Sequence, residues 1–577
     1  MKLDLSINGK LTPEVAIIFN EIAESQRVHF VNFIKECSLP HTDNLDWWVA
    51  GPASRNTLVS PLFHYYCCFF LVRTLCEREH RISEIIVDSN ALKGILVSYF
   101  EQSGRQVCLR LVLSRKERLK RLFFPWLFYL FFLFLRRVVS SIHSHYYSWK
   151  SKSTTSLLAG GPPRVLIDTV LSPNFIEQDR TYSGLWEGLT EKEREGVYFV
   201  PHLYGFPKKE LLTAYQQIRG GGKSFLLKED FLHFSDYLFA LGHLWRVLQL
   251  RVAPVKIEGI DCSALVKEEL KLQAGYPTAT HALLNYRFAL RLREVGVSPQ
   301  LVINRFENQV IDKGWNAGFQ HFFPATKRIG YQGFIASEHY LCMYPTQLEG
   351  QSGVLPTVVA VIGSGHEALK KEFFPQLKTT IAPAFRFDDV WRKPLHNPVA
   401  GFFTILVALP IGLHESCLIL QQIEKSLELL SFDSSLPRFW IKPHPTVQKA
   451  AILKAYGKQW PQVYEFVNDT FTDCVEQANL LLANLSSVCL ETIAKGIPVI
   501  LVGNSEGLTH NPIPRTIKEN IWCACNNPIE LAKSIEFYQE NQDCLQSHFQ
   551  QIGKNIRHEF FEPCSPEGIR KFIGIIE

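Results

Sequence analysis

No HExxH and no CxxC occurs in the 577 residues, which removes zinc-protease chemistry and cysteine-paired metal sites at the outset. The 14 cysteines are scattered, and neighbours such as Cys67-Cys68 and Cys523/Cys525 lack metal-ligand spacing; they read as buried free thiols of a reducing cytosol. Two glycine-rich stretches are incomplete. RGGGKS (219–224) would be a phosphate loop only with glycine where Gln217 stands, and no apolar strand leads into it. VIGSGHEAL (361–369) offers Gly363 and Gly365 alone, which fits a strand-to-helix turn better than a dinucleotide fingerprint. The N-terminus, MKLDLSINGKLTPEVAIIFNE, has no apolar core beside a cleavage site, so no secretory signal is expected. Excess charge is scarce as well. A net +5 and a pI near 8.4 suit an anionic small ligand or an anionic membrane face and are too weak for nucleic acid.

What is present is a globular composition, 46% hydrophobic and 20% charged, in a chain long enough for two or three domains. Short β-branched runs recur, each followed by a helical pattern: ISEIIVDS (82–89), QVCLRLVL (106–113), RVLIDTV (164–170), GVYFVP (196–201), QLVIN (300–304), KRIGYQG (327–333) and TVVAVIG (357–363). A second set follows the turn-rich stretch 385–401: FFTILVALPIG (402–412), RFWIKPHP (438–445), NLLLANLSSV (479–488) and IPVILVG (497–503). Strands alternating with helices predict a parallel sheet covered on both faces in each set. The expectation is an α/β chain of two Rossmann-like domains, 1–395 and 396–577, facing across a cleft at the carboxyl ends of their strands. Residues 112–160 read as an insertion in the first.

That insertion contains the one departure from a soluble pattern. RKERLKRLFFPWLFYLFFLFLRR (115–137) sets an aromatic apolar run between two basic clusters. Its uninterrupted part, Leu122–Leu135, falls short of the roughly 20 residues of a spanning helix. It predicts an interfacial or re-entrant segment against anionic lipid.

Chemistry concentrates in the second set. FWIKPHPTV (439–447) ends a strand on Lys442 and His444, stiffened by Pro443 and Pro445, a point charge and a directed donor suited to phosphate. About forty residues on, LLLANLSSVCLETIAKGIPVI (480–500) runs from a buried strand into a helix, with Ser486 and Ser487 at its start. Glu491, one turn in, is placed to reach a ribose hydroxyl or to face solvent. Proton transfer from an acceptor hydroxyl needs a carboxylate or histidine. Glu307, after QLVIN at the strand's carboxyl end, is the first candidate, with Asp312, Glu338 (FIASEHY) and Asp179 (EQDRTYSGLW) as alternatives. Arg386 either completes a phosphate site or forms an interdomain salt bridge.

An HP turn followed by a Ser-Ser turn into a helix resembles the donor half of GT-B glycosyltransferases. The nearest families are bacterial sialyl- and polysialyltransferases and Kdo transferases, with CDP-glycerol polymer transferases similar. RFENQVIDKGWNAGF (305–319), RIGYQGF (328–334) and IAPAFRF (381–387) resemble surface-carbohydrate and O-antigen biosynthesis proteins of that type. The resemblance implies phosphate contacts at His444 with Pro445, and at Ser486 and Ser487. It also implies close nucleotide approach at Gly412 in ALPIGLHES (408–416). No clear Asp/Glu-Asp/Glu-Gly triplet, the base motif of sialyltransferases, is found. The implied activity is metal-independent, inverting sugar transfer without a cofactor. The donor would be a nucleotide sugar, with a CMP-linked ulosonic acid favoured, and the acceptor lipid-linked or an oligosaccharide. The implied place is the cytoplasmic side of a bacterial inner membrane, in surface polysaccharide, lipopolysaccharide or capsule assembly. A CDP-polyol phosphotransferase and a non-catalytic membrane-bound scaffold are the alternatives.

Overall fold

The computed structural model describes residues 1–576 except 8, 113–125, 152–161, 174, 177–178, 273–275, 397–400 and 431–435. The basic cluster 115–121 and the start of the apolar run therefore lie outside the described residues, as does most of the linker at 148–163.

Three parallel sheets organise the chain. Strands β1 (Lys2–Asp4), β2 (Glu84–Val87) and β3 (Cys108–Leu111) pair in that order, with helices Pro13–Ser38, Leu62–Glu77 and Asn90–Ser103 in the same apolar core. The runs 82–89 and 106–113 thus belong to a separate small sheet and do not extend the one begun by RVLIDTV. Their partner is the N-terminal tripeptide, a pairing more than eighty residues away that local pattern does not disclose.

The second sheet holds β4 (Val165–Leu171), β5 (Val197–Leu203), and, beyond the small hairpin β6 (Lys256–Ile257) and β7 (Ile260–Asp261), strands β8 (Leu301–Arg305), β9 (Lys327–Gln332), β10 (Val358–Val361) and β11 (Thr379–Ile381). Its order is β11-β10-β9-β8-β4-β5. The third contains β12 (Thr404–Ala408), β13 (Arg438–Lys442), β14 (Tyr464–Phe466), β15 (Leu480–Ala483), β16 (Val499–Val502) and β17 (Trp522–Cys525), ordered β14-β13-β12-β15-β16-β17. Numbered within its own half, that is 3-2-1-4-5-6, the order of a Rossmann fold. The chain is α/β with two Rossmann-like halves. β15 (LLLA) and β16 (VILV) are buried at every residue, as parallel strands with both faces covered must be.

Strand order reverses between β4 and β8 in one half and between β12 and β15 in the other. Each reversal opens a crevice at the carboxyl ends of its strands. The halves are knitted by the C-terminal segment. Helix Gln542–Phe560 belongs to the third sheet's core, then the chain crosses back, with Glu562 N–H donating to Ile362 O (2.6 Å) and Ala384 N–H to Glu562 O (2.8 Å). Phe572 stacks against Tyr331 and Phe385 of the first half. Gly363 lies in the strand-to-helix turn expected of VIGSGHEAL, and a Cβ there would meet the Phe560 carbonyl carbon at 2.3 Å. Its glycine therefore serves this crossing.

Helices Tyr276–Glu294 and Val310–Phe322 pack so closely that a Cβ on Gly314 would lie 2.0 Å from the Ala282 carbonyl oxygen. Gly314→Ala is expected to cost about 1–3 kcal/mol of stability by overpacking, read as a lowered melting temperature. An unchanged melting curve would mean that the two helices are farther apart.

Candidate functional site

Parallel registry puts Ala408, Lys442 and Ala483 level at the ends of β12, β13 and β15. The three loops that leave them carry the residues singled out from the sequence. His444 is half-buried, and its Nδ1 lies 3.3 Å from the Thr446 N–H and 2.8 Å from the Thr446 hydroxyl. The backbone N–H can only donate, so Nδ1 is the acceptor and the ring proton sits on Nε2. Burial, then Arg180 and Arg386, hold its pKa below the usual range, leaving a neutral directed donor. Pro445 is exposed and leads into the turn that fixes the ring. Lys442 does not join it. Its ammonium is satisfied by the carbonyls of Asn468 (3.4 Å) and Asp469, so it closes the loop after β14.

Ser486 and Ser487 are half-buried at the β15 exit. The Ser486 hydroxyl accepts from Val488 N–H at 3.4 Å, while Ser487 caps helix Val488–Ile493 by position without a side-chain bond. Gly412 is the N-cap of helix Leu413–Leu427, with the Glu415 carboxylate filling the space a Cβ would take. Burial raises Glu491 to about 7, against the pull of Lys495 and Arg386.

Arg386 reaches this group from the turn Phe385–Phe387 and has no ion pair or hydrogen bond among the described residues. Its side chain is exposed, yet partial desolvation and then Arg180 lower it to about 10; Glu491 and Glu307 act in the opposite sense and Arg305 in the same one. The charges that act on it thus come from both halves, which locates Arg386 in the cleft between the two crevices. Arg180, also exposed, acts electrostatically on Arg386; partial desolvation and Arg305 lower its own pKa, and it has no ion pair among the described residues.

Glu307 faces this group from the β8 exit. It is buried and accepts from Arg305, from Gln309 and from the Tyr340 hydroxyl (3.2 Å). Its loop is rigid: Asn308 is left-handed at φ 54° and donates to Glu349 (3.1 Å), which also binds Lys313 and Arg55. Asp312 is the peg of that loop, one oxygen taking the N–H groups of Glu307 (3.0 Å) and Gln309 (2.9 Å), the other Asn304 (3.2 Å). Burial raises it to about 7. Asp179 is likewise committed, accepting from Thr169 (2.6 Å) and from the N–H groups of Thr181 (2.7 Å) and Tyr182 (3.0 Å), which fixes the turn that presents Arg180. Glu338 lies elsewhere, in ion pairs with Arg515 (2.9 Å) and Arg27 (3.4 Å). Of the four acids, Glu307 alone is brought to the cationic group.

Three participants escaped sequence reasoning. Arg180 and Arg305 adjoin acids that were singled out, and the acids drew attention away from them. Asp168 is an acid in an apolar strand, raised to about 6 by burial, against the pull of Lys228 and Arg305. Near it, at the ends of β4 and β5, a polar cavity of about 50 Å³ is lined by Ser144, His202, Lys228, Glu229, His281 and Asn285. Lys228 is buried there and donates to Asn285 at 2.8 Å. Among the described residues no group of three or more His, Cys, Asp or Glu is placed to hold a metal ion. Gly503–Gly507 (GNSEG) has the GxSxG spacing, but no helix follows it, so it is not a nucleophile elbow.

No family model and no curated protein matches the chain. Solved structures similar to it include the calicheamicin glycosyltransferase CalG4 (TM-score 0.42, 12% identity, 72% of this chain and 98% of that one). Others are a trehalose 6-phosphate synthase from Burkholderia multivorans (0.41, 9%, 72% and 96%) and MurG from Acinetobacter baumannii (0.37, 10%, 72% and 100%). Likeness at this level does not assign an activity; the residues of the cleft must do that.

An anion bound beside Arg386 favours the protonated form of Glu491, whose pKa is raised to about 7. Affinity for a phosphodiester nucleotide, which does not titrate in this range, is therefore expected to rise severalfold from pH 8 to pH 6. Glu491→Gln should flatten the profile. Calorimetry at the two pH values decides it, and a profile that survives the substitution assigns the effect to another group.

Proposed function

We propose that this chain transfers a sugar from a nucleotide-activated donor, with a CMP-linked ulosonic acid favoured. The acceptor would be lipid-linked or an oligosaccharide of a bacterial surface polysaccharide, O-antigen or capsule. The observation that carries the reading is the convergence in one cleft of Arg180, Arg386, the His444 Nε2–H and the Ser486-Ser487 turn, with Glu307 opposite. Arg180 and Arg386 are exposed and have no carboxylate partner among the described residues, so both are open to an anion such as a nucleotide phosphate.

In this reading the two arginines and His444 hold the donor phosphate and stabilise the charge that grows on it as the sugar leaves. Glu491 takes a ribose hydroxyl. Glu307, oriented by Arg305, Gln309 and Tyr340, accepts the acceptor's proton as the hydroxyl attacks from the opposite face, which inverts the anomeric centre. The chain's own cations supply the charge neutralisation. The work place is the cytoplasmic face of the inner membrane, with the chain held peripherally through residues 112–160.

Thermal-shift titration with CMP, CDP, UDP and GDP tests the donor. Stabilisation by cytidine nucleotides is expected; a response to UDP alone sinks the CMP-sugar assignment, and a response to none favours a scaffold. His444→Ala should weaken nucleotide binding about 10- to 100-fold, the worth of one hydrogen bond to a charged group, with the free protein's melting temperature preserved. Binding that is indifferent to this substitution removes His444 from the site.

A further inference from the structure

Helix Phe234–Leu248 is apolar on two faces: Tyr237, Ala240, Leu244 and Val247 face the core, and a second apolar stripe faces outward. Its polar side chains turn inward: Asp236 takes Arg287 (2.6 Å) and Arg291 (2.8 Å), while His243 and Arg246 (2.7 Å) share Asp46. Its outward face carries Phe234, Leu238, Trp245 and Leu248, with the half-buried Leu241 between them, at spacings that fall on one narrow stripe. Phe234, Leu238 and Trp245 are each exposed over half of their surface or more.

Beside it runs helix Trp126–Lys150, joined through Phe131 against Trp245 (6.4 Å between rings) and through the Tyr237 hydroxyl and His145 Nδ1 (3.3 Å). Its own outward stripe reads Phe132, Arg136, Val139, Tyr146 and Lys150, with Trp149 at the flank. Phe132 and Trp149 are also exposed over more than half of their surface. The two helices therefore present adjoining apolar faces, built from segments about a hundred residues apart.

We propose that these two faces together form one docking surface for an anionic lipid bilayer, with the helices lying flat in its interface. This deepens the membrane placement proposed above, adding a second helix that the sequence pattern had not marked. Charge selects the partner. Helix Trp126–Lys150 contains no acid, and the single acid of Phe234–Leu248, Asp236, is buried under two arginines. Arg136 and Lys150 are exposed within the apolar stripe, and RKERLKR (115–121) precedes the first helix in sequence with five cations and one acid. Aromatic side chains seat at the headgroup level, and cations beside them meet lipid phosphates. No described helix is long and apolar enough to cross a membrane. The polar cavity with Lys228 opens against the inner side of the same helix, at Ser141 and Ser144.

The test is co-sedimentation of the full chain with vesicles of phosphatidylcholine alone or with phosphatidylglycerol added. The variants are Leu238→Ser with Trp245→Ser, and Arg136→Gln with Lys150→Gln. Both pairs are exposed, so the melting temperature should hold. The first pair should lower affinity for the anionic vesicles at least tenfold. The second should lower it severalfold and flatten its salt dependence. Undiminished binding of the Leu238/Trp245 variant overturns the proposal. So does sedimentation velocity showing a dimer that this variant dissolves, which would give the face to a second copy of the chain. Nucleotide thermal shifts on the same samples separate the two readings: loss of vesicle binding with the nucleotide response retained concerns the surface alone.

Discussion

Three arginines set the electrostatics of the cleft. Arg180 and Arg386, from two turns, and Arg305, at the end of β8, act on one another, and among the described residues only Arg305 has a carboxylate in contact. The segments that carry them are each fixed by hydrogen bonds or packing. Asp179 fixes the turn under Arg180, and Asp312 and Glu349 fix the loop behind Glu307. The turn Phe385–Phe387 is clamped between Tyr331 and the returning C-terminal segment.

The sheet topologies determine where that restraint is applied. Each six-stranded sheet reverses its order once, and loops leaving the two strands at a reversal diverge to either side. In the second half those loops bear Gly412 and Ser486-Ser487; in the first they bear the turn of Arg180 and the loop of Glu307. The proposed donor site draws on loops of both crevices.

Interior strands were legible from the sequence because burial on both faces makes them continuous apolar runs, as in LLLA and VILV. The edge strands β11, β14 and β17 were not. They are three or four residues long and partly exposed, so no run marks them. His444 and the serine pair were legible because a stiff turn after a strand is a local pattern. The fate of the acids was not, because the partners that occupy Asp179, Asp312 and Glu338 are a matter of three-dimensional contact. Lys442 shows the limit from the other side. Its place in the motif suggests phosphate, while its ammonium is taken up by two backbone carbonyls.

The ion network around Arg515 has a consequence for the shape of the whole chain. Arg515, from the loop after β16, meets Glu24 of the first long helix and Glu338 and Glu372 of the first half, while buried Arg27 shares the last two. Lys10 and Glu506 add a further pair nearby. On this side the halves are fastened partly by charges in reach of water, whereas the C-terminal crossing fastens them by packed aromatic rings. Charges in water loosen as salt rises; packed rings do not. The crossing carries one such pair as well, Arg570 with Glu193 (2.6 Å), so rising salt weakens the Arg515 side more than it weakens the crossing.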